Sequence, residues 1–306
     1  MDALLVLDQY KLNFNASGLH FLNVSLAIIM FGVALDIRLS NFKTIFFKPK
    51  SFIVGLVSQF LLLPSLTFLL IFIIKPTESV ALGMILVAAC PGGNISNFIS
   101  SLAKGNVELS LSLTGFSTML SVLLTPLNFS FWGSLYVSQS NLIHPISIDF
   151  LQMFQTVVLI LGLPLILGVW FNSKKPIVAQ KIKKPIKILS IIIFLGFIVV
   201  ALANNFSLFL RYIHLIFLIV LAHNLVALLS GYFLSTLFKS SLADRKTITI
   251  ETGIQNSGLA LVLIFNPKIF PEDIQIGGMA FIAAWWGIWH MISGLAIAML
   301  WHKKQE

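Results

Sequence analysis

The chain has 306 residues, of which 58% are hydrophobic and only 10% charged, and its mean hydropathy is +0.96. Soluble domains carry roughly 45–50% apolar and 25% charged residues, so an ordinary water-soluble protein is excluded. The net charge of +9 comes without any alternation of basic and aromatic residues, so it argues for membrane topology and anionic lipid heads, and against a nucleic-acid partner.

The apolar residues fall in blocks of about 20, the length of a helix crossing a hydrocarbon core of about 30 Å, and not in the alternating ten-residue strands of a barrel. The expected fold is therefore all-α and integral to a membrane. The first seventeen residues, MDALLVLDQYKLNFNAS, hold Asp2, Asp8 and Lys11 around a short apolar run. They read as an extracytoplasmic tail (1–17), neither signal peptide nor span. Nine spans follow, near residues 18–37, 51–74, 79–103, 107–131, 148–171, 187–204, 212–238, 247–266 and 276–301. With the tail outside, sixteen of the twenty Lys and Arg fall on the inner side, and only Lys11, Lys75, Arg211 and Lys268 outside. By the positive-inside rule the N-terminus is outside and the C-terminus cytoplasmic, in the inner (plasma) membrane.

Two spans are not continuous. The third contains CPGGNISN, Cys90 to Asn97. Pro91 lacks an amide hydrogen and Gly92 and Gly93 lift the restriction that keeps a helix straight, so a break is expected there. The eighth contains ETGIQNSG, Glu251 to Gly258, equally rich in polar residues and glycine. Freed backbone groups at membrane depth are tolerated only against protein or a water-filled cavity, which puts both breaks in the interior. Both sit third in a group of four when the first repeat (about 18–131) is matched with the second (about 187–301), with span 5 (about 148–171) between them. Span 1 runs inward and span 6 outward, so the two groups form inverted repeats, the arrangement that marks a secondary transporter's midplane site.

Glu251 is the most informative residue. A charge near a helix centre costs about 2.5–3.5 kcal/mol on insertion scales, and its span offers no basic partner beyond the flanking Lys246. Two readings stand: a carboxylate among Asn, Gln, Ser and Thr oxygens that ligates a hard cation, or a protonated side chain bonded to a neighbouring helix. Ser110 and Thr114, four residues apart, share one helix face and either look into the same interior or back-bond to their own carbonyls. Trp285, Trp286 and Trp289 read as packing or an interface belt, Pro64, Pro126 and Pro164 as kinks, and KKPIVAQKIKKPIK as a solvated inner loop. No DDxxD-like motif is present to bind a magnesium diphosphate, and an enzyme is not expected.

CPGGNISN with LAKGNVELSLSLTGFSTMLSVLLTP, and ITIETGIQNSGLAL with IWHMISG, resemble the bile acid:sodium symporter family over most of the chain, from about Ile29 onward. The resemblance implies a helical bundle with panel and core domains, inverted repeats and two crossed discontinuous helices. Lacking room for a tenth span, the chain is similar to nine-span members with an outside N-terminus. It also implies sodium-coupled symport, by alternating access, of a small organic anion, bile-acid-like or a small carboxylate such as pantoate. Two sodium ions are the implied coupling ions, with no further cofactor.

On that resemblance one sodium site comprises Ser96, Asn97, Ser110, Thr114 and Glu251, and the other Gln59, Glu251, Gln255 and the carbonyls of Thr252 and Ile254. Asn94, Asn256, His290 and Met291 map to the substrate side, although a lone membrane histidine reads equally as a structural hydrogen bonder. Met291 and Asn94 stand where a bile-acid-binding relative has asparagine and threonine, so bile acid itself is not implied. A monomer in membrane lipid is expected. The alternative is a proton-coupled anion carrier or sodium/proton exchanger on a related inverted-repeat fold, with Glu251 as its proton site.

Overall fold

The computed structural model describes residues 16–35, 49–139, 149–203, 206–271 and 274–303. The N-terminal tail up to Asn15, Asp36, Glu272, Asp273 and the inner-side Arg38, Lys43, Lys48 and Lys304 lie outside these residues. The described helices are α1 (Ala16–Ala34), α2 (Pro49–Ile74), α3 (Glu78–Ala89), α4 (Ile95–Leu102), α5 (Val107–Gln139) and α6 (Phe150–Lys174). They continue with α7 (Pro176–Ala203), α8 (Phe206–Leu237), α9 (Leu242–Gly253), α10 (Ser257–Ile264) and α11 (Gly277–Lys303). Among the described residues five helices are long and apolar enough to cross a membrane: α2, α5, α6, the Ile216–Leu237 part of α8, and α11 to His302. The protein is thus an all-helical integral membrane protein.

The third and eighth expected spans are each two short helices. α3 and α9 have 12 residues, α4 and α10 have 8; at 1.5 Å per residue none of them crosses a bilayer alone. The first break begins at Cys90, whose φ of −73° and ψ of 157° are extended, because the ring of Pro91 excludes the helical region for the residue before it.

Pro64 and Pro164 do not break their helices. Each follows a π-helical turn, Ser58–Leu62 in α2 and Val158–Gly162 in α6, in which Leu63 N donates to Ser58 O and Leu163 N to Val158 O. Widening the turn by one residue moves the carbonyl that the proline ring would strike, so the kink becomes a bulge. Pro126 lies inside α5, which continues to Gln139. One expectation changes: α7 begins at Pro176, so most of the run read as a loop is helix. Proline is preformed for the first helical position, and Ala, Gln and Lys favour helix while their charges stay in water; Lys181 and Lys184 are exposed, and Ala179 is buried.

α1, α6 and α7 pack on one another, and meet the other helices chiefly along α5 and α6. The approach of α1 to α6 is close: a Cβ on Gly168 would lie 2.4 Å from Ala34 Cβ and 2.9 Å from Phe31 O. In the larger group α3 is buried from Ser79 to Ala89 and packs on α11, which contributes the buried Trp286. Trp285 and Trp289 lie against Phe217 of α8, so the tryptophans do serve packing.

Candidate cation site between two helix breaks

The two breaks meet. Gly93 N donates to Ile254 O at 2.7 Å and Asn256 N to Pro91 O at 2.8 Å, an antiparallel bridge that pairs Gly92 with Gln255. Backbone groups freed by one break are thus satisfied by the other, as burial requires. Two glycines permit the contact: a Cβ on Gly92 would sit 3.0 Å from Glu251 Oε2, and one on Gly93 3.2 Å from Gln255 O.

Glu251, on the last turn of α9, is fully buried. Its Oε1 accepts from Ser96 Oγ of α4 at 2.5 Å and from Ser110 Oγ of α5, while Thr114 Oγ1 lies 3.1 and 3.0 Å from its two oxygens. Thr114 Oγ1 is also 3.2 Å from Asn97 Oδ1 and 3.3 Å from Ser96 Oγ. Ser110 and Thr114 therefore turn toward Glu251. Other hydroxyls of α5 back-bond, among them Ser112 to Glu108 O, Ser117 and Thr118 both to Thr114 O, and Ser121 to Thr118 O.

Gln59 reaches the same place from the π turn of α2. It is fully buried, neither its Oε1 nor its Nε2 has a hydrogen-bond partner, and its Nε2 is 3.3 Å from the Cβ position on Gly92. Gln255 Nε2 donates to Thr252 O at 2.8 Å, and its Oε1 is buried without a partner. The Ile254 carbonyl carries the bond from Gly93, and Thr252 Oγ1 donates to Ser58 Oγ at 2.9 Å. An orphaned buried acceptor costs about 1–3 kcal/mol. One carboxylate, two such amide oxygens and several hydroxyls make an all-oxygen donor set suited to a hard cation of low charge. Among the described residues no three His, Cys, Asp or Glu cluster as a transition metal would require.

The residues assigned to the two sodium sites thus lie around one bridge. Asn94 and Asn256, both half-buried, stand at the N-caps of α4 and α10; Asn256 Oδ1 accepts from Leu259 N at 3.0 Å, and Asn94 makes no such cap bond. His290 and Met291 are elsewhere on α11, one turn before Gly294, whose Cβ position is 2.9 Å from Ile254 Cδ1. His290 is buried with Nδ1 unpartnered, and Met291 is half-buried.

Other groups escaped the sequence. Asn224 of α8 donates from Nδ2 to Gly253 O at 2.7 Å, and Thr125 of α5 donates to Ala89 O at 2.8 Å, each holding a carbonyl at the end of a broken helix. The visible signal for the first was a polar pair, His223 and Asn224, within the apolar run LIVLAHNLVALL. Asp244 is buried and accepts from Ser51 Oγ at 2.9 Å and Asn106 Nδ2 at 2.7 Å, tying α2 and the α4–α5 turn to α9.

The family model for sodium bile acid symporters matches residues 23–212. The chain belongs to the sodium bile acid symporter family. This symporter-family chain is 32% identical over 289 residues to an uncharacterized sodium-dependent transporter, YocS, of Bacillus subtilis (strain 168), covering 93% of this chain and 84% of YocS. That span includes the second break. It is 28% identical over 287 residues, 92% of its length, to the probable sodium/metabolite cotransporter BASS1, chloroplastic, of Arabidopsis thaliana, of which it covers 66%. It is 30% identical over 254 residues, 81% of its length, to human sodium/bile acid cotransporter 4, of which it covers 57%. The symporter-family chain therefore spans less than two thirds of these two longer relatives.

Proposed function

We propose that this protein is a secondary active transporter that couples the entry of sodium to the uptake of a small organic anion, bile-acid-like or a small carboxylate such as pantoate. The observation that carries the reading is Glu251: fully buried, bonded by the hydroxyls of Ser96, Ser110 and Thr114, and beside the orphaned amide oxygens of Gln59 and Gln255. A charge so placed needs a counter-charge, and none of its hydrogen-bond donors is cationic. Family membership supports sodium as that counter-charge, since the relatives are named sodium-dependent transporter and sodium cotransporter.

In this proposal Ser96, Asn97, Ser110, Thr114 and Glu251 ligate one sodium ion, and Gln59, Glu251, Gln255 and the carbonyls of Thr252 and Ile254 the other. Bound cations draw hydroxyl lone pairs inward, neutralise Glu251 and fix both breaks. Asn94 and Asn256 then present amide groups beside the N-termini of α4 and α10, where free N–H groups and the positive dipole end favour a carboxylate. His290 and Met291 stand on the substrate side, farther from the ions. Nine spans in inverted repeats, with the N-terminus outside, place the bridge at mid-membrane. The group α1, α6 and α7 is the panel against which the remaining helices move, opening the site to either side in turn. A ligand shifts such an equilibrium only by its differential affinity, so sodium binds the anion-ready arrangement better than the other.

The test is uptake of labelled taurocholate and of labelled pantoate into proteoliposomes. Wild-type protein accumulates one of the two under an inward sodium gradient, and Glu251→Gln, which keeps the shape and removes the charge, does not. Uptake that ignores sodium and follows an imposed pH gradient replaces this reading with the proton-coupled one.

A further inference from the structure

A helix ends with carbonyls that have no donor in the next turn. At the end of α9 these are flanked by the bridge: Thr252 O is held by Gln255 Nε2, and Ile254 O by Gly93 N. The carbonyl between them, on Gly253, is held from another helix by Asn224 Nδ2. Gly253 has no side chain to limit its own dihedrals, and no room for one, since a Cβ there would lie 2.3 Å from Leu228 Cδ2. The constraint that glycine lacks is supplied by Asn224, which is 1% exposed.

A carboxamide presents oxygen and nitrogen ends of nearly the same shape, so its orientation must be set by a third group. Here Ser293 Oγ of α11 donates to Asn224 Oδ1 at 2.6 Å, which leaves Nδ2 facing the Gly253 carbonyl. The other end of the same peptide unit is fixed by Ile254 N donating to Ile250 O at 2.9 Å. The Gly253–Ile254 peptide is thereby pinned at both ends. Were it free to turn, the carbonyls on either side, those of Thr252 and Ile254, would turn with it.

Resting on the sodium-coupled reading, we propose that Asn224 and Ser293 are positioning residues for the second cation site. They hold the Gly253 carbonyl outward so that the Thr252 and Ile254 carbonyls converge on the ion, which neither residue touches. Partners of this second rank alter metal affinity by about 10- to 100-fold in well-studied sites, because they set the orientation of groups that ligate. A seam of this kind also couples the site to α8 and α11, two helices that contribute no cation ligand of their own.

The experiment is a sodium titration of the purified protein, with potassium balancing ionic strength, read as the thermal midpoint and as tryptophan fluorescence. The proteins are wild type, Asn224→Ala, Ser293→Ala and Ser293→Thr. Asn224→Ala raises the sodium half-saturation about tenfold or more. Ser293→Ala, which frees the amide to flip, raises it about threefold, and Ser293→Thr, which keeps the hydroxyl, restores it. A purely structural role would lower the midpoint measured without sodium and leave the half-saturation unchanged, and that result overturns the proposal. Should Asn224→Ala fail to fold, the half-saturation of Ser293→Ala decides, unchanged against the proposal and raised in its favour. A wild-type protein indifferent to sodium overturns the coupling reading itself, an outcome distinct from a sodium-responsive wild type matched by its variants.

Discussion

Ser110 and Ser117 both carry hydroxyls on α5, yet Ser110 donates to the Glu251 carboxylate and Ser117 to Thr114 O of its own helix, at 3.2 Å. Ser110→Ala therefore raises the sodium half-saturation about tenfold, the worth of a hydrogen bond to a charged group. Ser117→Ala leaves it within a factor of about two, and equal responses would remove the hydroxyls from the ion's coordination. Gly92→Ala places a methyl 3.0 Å from Glu251 Oε2 and displaces the carboxylate. A ligand at a hundred times its Kd stabilises by about 2.7 kcal/mol, and a hundredfold weaker site would retain only about 0.4 kcal/mol by the same relation. The sodium-induced rise in thermal midpoint thus collapses in Gly92→Ala. At this scale the sequence shows which residues are polar but not where they turn. In SLSLTGFST the hydroxyls look alike, and only the passage of α9 beside one face separates Ser110 and Thr114 from Ser117. Asn224 stayed hidden because its partner is a main-chain carbonyl 29 residues away, which leaves no mark in composition.

Among the elements, the interruption at Cys90 to Gly93 was legible because proline and paired glycine act locally, through a missing donor and an unrestricted backbone. The π turns before Pro64 and Pro164 were not, since a helix relieves a proline either by bending or by widening and its neighbours decide which. The early start of α7 was missed because hydropathy measures what enters the membrane, and a helix that begins in water is invisible to it. The contact of α6 with α1 yields a prediction of its own. Gly168→Val drives a branched side chain into Ala34 and the carbonyl of Phe31, an overpacking worth about 1–3 kcal/mol. The thermal midpoint falls, while the sodium half-saturation stays where it was, because α1 and α6 hold none of the oxygen donors. A shifted half-saturation would show that this helix pair shapes the site.

For the molecule as a whole, the donors come from α2, α4, α5 and the end of α9, all in the larger group of helices, and Asp244 with its partners fastens the start of α9 to α2 and the α4–α5 turn. At their centre the two halves of the chain are joined by two backbone bonds, Gly93 N to Ile254 O and Asn256 N to Pro91 O, beside the hydroxyl bonds to Glu251. Each of those amide protons belongs to one half and is shielded by the other. In heavy water neither exchanges for deuterium until the two lips part, so the pair should exchange at one shared rate. An ion that clamps the lips should slow both in step, making two glycine-rich breaks into a native gauge of occupancy that requires no attached label.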